Sequence, residues 1–90
     1  MQVIQTKRFH QAVKKLHKNE KAALDGAVLH LIANPEAGVM KLGDLAGIRV
    51  HKFKMLQQLM LLAYSYDGAA ITLTLLALGT HENFYRDLKH

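Results

Sequence analysis

Hydrophobic positions along the chain change their period twice. Val3 and Ile4 sit in a short apolar run, and Gln2–Gln5 predicts a first strand. Phe9, Val13 and Leu16 then recur at helical spacing behind Thr6, a residue type that caps helix N-termini. Lys18-Asn19-Glu20 predicts a tight break, with Asn19 capping a second helix. In that helix Leu24, Ala27, Val28, Leu31 and Ile32 form a stripe along one face. Asn34-Pro35 ends it, because the residue before proline is driven out of helical geometry. Gly26 lies inside the stripe's helix, where a missing side chain would let the two helices approach closely. These features predict an antiparallel helical hairpin.

Beyond Gly38 the pattern becomes that of strands. Met40–Leu42 predicts a short strand or loop, followed by turn-like Gly43-Asp44 and Ala46-Gly47. Ile48–Lys54, Gln58–Tyr66 and Ala70–Leu78 predict three further strands, the last two joined by an Asp67-Gly68 hairpin turn. Leu59–Leu62 and Leu73–Leu78 are apolar on both faces, as central strands are when both sides are covered. Gly79-Thr80 closes the last strand, and His81–Leu88 predicts a short helix capped by Thr80. The order β-α-α-β-β-β-α predicts one α+β domain over residues 1–90: an N-terminal strand and helical hairpin packed on a mainly antiparallel sheet, with a short C-terminal helix.

Composition narrows the class. Half of the 90 residues are hydrophobic, which suits a compact globule, although a domain this small buries only about 60% of its unfolded surface. Without cysteine there is neither a disulfide framework nor a thiolate zinc site. The first residues, MQVIQTKRFH, lack a signal peptide's long apolar region. Leu59–Ala63 and Ile71–Leu78 are too short to span a bilayer. A soluble cytoplasmic protein without a membrane partner is the expectation.

The net charge of +5 is unevenly placed. Lys7, Arg8, Lys14, Lys15, Lys18 and Lys21 face Glu20 alone, whereas the rest of the chain has six cations and six acids. Such a concentration fits an electrostatic footprint for phosphate, and equally a solvated helix face. His10, His17 and His30 lack zinc-motif spacing, so no metal or other cofactor is expected.

Three segments carry a family resemblance. Lys41-Leu42-Gly43-Asp44-Leu45-Ala46-Gly47-Ile48-Arg49 resembles the "K-L-x-x-L-x-G-x-R" entry into the central sheet of the RelE/ParE superfamily of type II toxin–antitoxin toxins. Leu61-Leu62-Ala63-Tyr64 resembles its "L-x-Y" strand, and the segment from Leu78 through His81 to Tyr85 resembles its closing glycine-basic-aromatic motif. The likeness runs from about Val3 to Leu88. It implies a toxin with a cognate antitoxin as partner. RelE-like and YafQ-like members cut mRNA on the ribosome; ParE-like members share the fold and inhibit DNA gyrase without RNase activity.

Metal-independent RNA cleavage needs the 2′-OH deprotonated, the leaving 5′-oxygen protonated and the phosphate charge stabilised. The resemblance to YafQ-like endings assigns proton transfer to His81 and an aromatic role to Tyr85, which would share a helix face four residues apart. Lys52 and Lys54 have strand spacing, and RelE-like enzymes carry basic residues on the corresponding strand, so these two are the expected phosphate ligands in the catalytic set. They share parity with Ile48 and Val50, so either the strand begins buried and emerges, or a bulge changes its face. Arg49, His51, Arg86, Lys14, Lys15 and Lys18 complete the expected nucleic-acid contacts, His51 also as a second-choice proton carrier. Leu59–Tyr64 lacks the arginine that RelE-like enzymes place before "L-x-Y", a feature that leaves gyrase inhibition as the alternative activity.

Overall fold

The computed structural model describes residues 1–81 and 84–88, the side chains of Arg86 and Asp87 excepted. Strand β1 (Gln2–Gln5) leads into helix α1 (Lys7–Lys14). Thr6 caps α1 as expected: its Oγ1 accepts from the Phe9 N–H at 3.2 Å. The same hydroxyl donates to the Leu76 carbonyl at 2.8 Å, fixing the helix start to the sheet. Helix α2 (Lys18–Ala33) begins earlier than expected. Its N-cap is His17, whose carbonyl accepts the first helical bond from Lys21 and whose N–H donates to the Glu20 carboxylate at 2.8 Å. Asn19 lies within the first turn, its Oδ1 accepting from the Glu20 N–H, so the break falls before His17. A carboxylate three residues beyond the cap decides the start over the better capping residue type. Asn34 ends α2 as predicted.

Strands β2 (Val39–Met40), β3 (Arg49–Met55), β4 (Gln58–Asp67) and β5 (Thr72–Thr80) follow, with a 3₁₀ turn at Gly43–Leu45 before β3, and helix α3 (Phe84–Leu88) closes the described chain. The five strands run β1-β5-β4-β3-β2 across the sheet. β1 pairs with β5 in parallel and every other pair is antiparallel. The helical hairpin covers one face, where Phe9, Leu24 and Leu31 pack with Met55, Met60, Leu62, Tyr64, Leu73 and Leu75. On the opposite face Phe84 of α3 packs with Val50, Leu61, Ala63 and Ala77. Burying each such large apolar side chain contributes about 1.5–3 kcal/mol. β4 supplies both layers, so all five residues from Met60 to Tyr64 are buried, as its unbroken apolar run requires.

Several local expectations are corrected. The bulge lies in β5, not β3: Tyr64 pairs with Leu75 and Ala63 with Ala77, leaving Leu76 as the extra residue. Leu73 and Leu75 therefore face the hairpin, while Leu76 and Ala77 face α3. The Asp67 side chain organises the β4–β5 turn by accepting from the Ala69 and Ala70 N–H groups. The left-handed residue of that turn is Ile71 (φ 50°), neither Asp67 nor Gly68. Gly26 is exposed, and a methyl group there would meet no atom within 4 Å, so it has no part in helix approach. Thr80 is still strand and His81 lies in a turn, so the described helix starts at Phe84 and the His81–Tyr85 pairing on one helical face is lost.

Candidate nucleic-acid interface

The α3 side of the sheet collects most of the chemistry. On β3 Val50 is buried on this face, while Lys52 and Lys54, two and four residues on, are exposed. The strand begins buried and emerges beyond the cover of α3, with no bulge in its pairing to β4. Lys52 pairs with Leu61, which pairs with Gly79 at the end of β5. His81 follows two residues later, exposed. Adjacent strands lie about 4.8 Å apart, so the Lys52 and Gly79 backbones are about 10 Å apart across β4.

α3 brings an aromatic pair to this face. Phe84 is 4% exposed and closes against Gly79, where an added methyl carbon would come within 3.3 Å of its ring. Tyr85 meets the Phe84 ring edge-on, centroids 5.3 Å apart. From the far edge of the sheet the Lys41 ammonium sits 5.1 Å from the centre of the Tyr85 ring. Lys41 carries the first letter of the sheet-entry motif, but nothing in the local pattern marks it as a partner of Tyr85. The side chain of Arg86 lies outside the described residues.

The opposite face receives the other two basic residues of β3. Arg49 Nη1 donates to the Glu36 carbonyl at 3.2 Å and the Gly38 carbonyl at 2.9 Å, bracing the α2–β2 loop. His51 stacks on His30 of α2 at 5.3 Å and on Phe53 at 6.2 Å. Burial, then the neighbouring charge of His30, lowers its pKa below the ordinary 6.5. The sheet thus stands between these two residues and Lys52 and Lys54. A cleft of about 570 Å³, lined in part by His30, Asn34 and Tyr66, opens on this hairpin side, away from the lysines.

Lys14, Lys15 and Lys18 are exposed where α1 gives way to α2. Lys15 also lines a groove of about 530 Å³ between α1 and α3, whose lining includes Ala12, Ala77, Leu78 and Phe84. Among the other histidines, His10 is exposed on α1 and His17 serves as the cap of α2. Among the described residues no helix is long and apolar enough to cross a membrane.

Comparison with solved structures finds this fold repeatedly. The intact RelBE toxin–antitoxin complex of E. coli contains a chain with TM-score 0.72 and 16% identity, covering 90% of this chain and 96% of that one. The YoeB/ParE toxin from Agrobacterium tumefaciens gives TM-score 0.73 at 15% identity, over 90% of this chain and 99% of that one. The archaeal RelE–RelB complex from Pyrococcus horikoshii gives TM-score 0.64 at 15% identity, over 90% and 94%. A sequence search of curated proteins returned no match. The model of the ParE-like toxin of type II bacterial toxin–antitoxin systems matches residues 3–89. With the order, topology and motif positions already described, that match over nearly the whole chain establishes that the protein belongs to this family of toxins, within the RelE/ParE superfamily.

Proposed function

We propose that this toxin is a ribosome-dependent mRNA endoribonuclease acting in the cytoplasm and held in check by a cognate antitoxin. The observation that carries the reading is the pair Lys52 and Lys54, exposed in alternate register on the face that also holds Tyr85. Two ammonium groups at strand spacing fit oxygens of an RNA backbone, and a ring on the same face fits a base. Attack of the 2′-oxygen on phosphorus, with the 5′-oxygen leaving, moves one proton off the nucleophile and one onto the leaving group. His81, exposed at the end of β5, is the group assigned to proton transfer. Lys52 and Lys54 neutralise the charge that gathers on the phosphate, and Tyr85 stacks the neighbouring base.

Gyrase inhibition is the second reading, favoured by one feature of β4. The strand facing the two lysines offers apolar Leu59 and Leu61 where a third cation would complete a phosphate cradle. Induction in cells with two readouts, mapped 5′ ends of mRNA and covalent gyrase–DNA breaks, separates the two activities. In purified translation extract His81→Ala should slow cleavage by about 10²–10⁴-fold, the usual worth of a general acid or base. Lys52→Ala should slow it without abolishing ribosome binding, and Tyr85→Phe, which keeps the ring, should leave it near normal. A folded His81→Ala variant that stays fully toxic and breaks DNA through gyrase would replace the first reading by the second.

For the antitoxin, the α1–α3 groove offers an apolar floor with Arg8 and Lys15 among its lining residues, suited to an acidic amphipathic segment. Co-expression of the adjacent small open reading frame should rescue growth. Toxicity indifferent to any neighbouring gene product would count against such a partner.

A further inference from the structure

Lys41 and Tyr85 are far apart in sequence and come from separate parts of the sheet. β2, which Lys41 follows, is one edge, and α3 follows β5, three strands away. The Lys41 backbone is pinned, its N–H donating to the Ile48 carbonyl at 2.9 Å. Its side chain is half-buried, with the ammonium over the Tyr85 ring at 5.1 Å. Phe84, which meets the same ring edge-on, is itself fixed in the core against Gly79. Tyr85 is therefore held by a cation on one ring face and an orthogonal ring beside it.

We propose that Lys41 is a positioning residue for Tyr85: the cation over the ring, together with the core contacts beneath α3, fixes the ring's orientation for stacking on a nucleobase, and Lys41 adds a cation for the RNA backbone. The inference rests on the RNA reading above and extends it from the catalytic groups to the way a single-stranded substrate is seated. A cation on an aromatic face is attracted by the ring's quadrupole, so the contact restrains a ring whose remaining exposed part can stack on a base. Lysine suits the double task, because its flexible stem keeps the ammonium within reach of both ring and phosphate.

The test is binding of a short single-stranded oligoribonucleotide, followed by fluorescence anisotropy across a salt series. Lys41→Met keeps the aliphatic stem and removes the charge, and Lys41→Arg returns a cation. Lys41→Met should weaken binding by about 2–5-fold through the lost cation–ring contact. It should also lower the slope of log affinity against log salt by about 0.7, the share of one single-strand phosphate contact. Lys41→Arg should restore both. In a Tyr85→Leu background the cation–ring share of the loss should vanish while the change in salt slope persists. The ε-methylene protons of Lys41 should show an upfield ring-current shift in the free protein that disappears in Tyr85→Leu, a readout independent of RNA. Oligonucleotide binding by the wild-type protein with equal Lys41→Met losses in both backgrounds, or no ring-current shift, overturns this inference alone. Absence of any RNA binding by the wild-type protein, to the free oligonucleotide and to mRNA on the ribosome alike, overturns the RNA reading, and this inference with it.

Discussion

Removing a single oxygen, in Tyr64→Phe, tests how the fold holds the loop between α2 and β2. Tyr64 is fully buried in β4, and its hydroxyl makes two bonds to the loop between α2 and β2. It donates to the Pro35 carbonyl at 2.7 Å and accepts from the Gly38 N–H at 2.8 Å. Gly38 is required there by contact: a methyl carbon would lie 2.7 Å from both Cε1 and Oη of Tyr64. Phenylalanine keeps the ring packing and leaves the buried Gly38 donor without this partner, at a cost of about 1–3 kcal/mol. The Pro35 carbonyl is only part-buried, so water can replace its partner at a loss of about 0.5–1.5 kcal/mol. The expected destabilisation is about 2–4 kcal/mol, a large share of the roughly 5–15 kcal/mol that holds a domain together. For a domain of this size that lowers Tm by roughly 10–25 °C.

Urea denaturation followed by circular dichroism measures the loss directly. The slope against urea should be unchanged, because the surface exposed on unfolding is nearly the same, and only the midpoint should fall. A loss below about 0.5 kcal/mol would show that the hydroxyl does not secure the loop. The Arg49 guanidinium bonds to the same loop at Glu36 and Gly38, so Arg49→Met should compound the effect non-additively, as expected for groups sharing a partner.

Three further outcomes follow from the structure. Ile71→Gly should stabilise the protein by about 0.5–1 kcal/mol, because a β-branched residue at φ 50° carries a left-handed strain that exceeds glycine's entropic cost; a lower urea midpoint would contradict it. His51 has a folded-state pKa depressed by burial and by His30, so its neutral form is the one the fold favours. Its contribution to stability is full above the unfolded value of about 6.5 and is lost as pH falls through the folded value. His51→Phe should therefore flatten the decline of stability between about pH 7 and pH 5, and an unchanged pH profile would remove His51 as its cause. Replacing Lys14, Lys15 and Lys18 by Gln should reduce the salt dependence of ribosome or RNA binding with little effect on folding, since exposed charges contribute little stability; an intact salt slope would mark them as solvated surface.

Much of the architecture was legible because its signals are local. The Thr6 cap, the α2 stripe from Leu24 to Ile32, the stop at Asn34-Pro35 and the doubly covered run of β4 each depend on neighbours within a few turns or pairs. What escaped local reading depends on register or on distant partners. Within Leu73–Leu78 apolar residues are so dense that the flip at Leu76 leaves no trace in polarity, and only the pairing with Ala63 and Tyr64 reveals it. Leu56 (φ 60°) and Ile71 occupy left-handed turn positions without glycine or asparagine to announce them. Period two correctly placed Lys52 and Lys54 on one side and Arg49 and His51 on the other. It could not say that the first pair would stand clear of α3 while the second would be enclosed by the helical hairpin. The cation–ring contact of Lys41 with Tyr85 joins the loop after edge strand β2 to the helix after β5, three strands away, a relation that sequence spacing does not encode.

The two faces of the sheet divide stability from exposure for a physical reason. A helical hairpin with an apolar stripe covers its face from α1 through Leu31, so polar groups there must be paired or stacked: Tyr64 and Arg49 bond the α2–β2 loop, and His51 lies against His30 and Phe53. On the other face the five described residues of α3 close one cluster around Phe84. The uncovered remainder of that face must be solvated, and β3 meets the requirement by changing from Val50 to Lys52 and Lys54 along a single row. Two lysines in open register beyond the cover of α3 are a consequence of incomplete cover. The same incompleteness that makes a 90-residue domain marginal thus leaves an exposed cationic row on β3, the row on which the RNA reading proposed above rests.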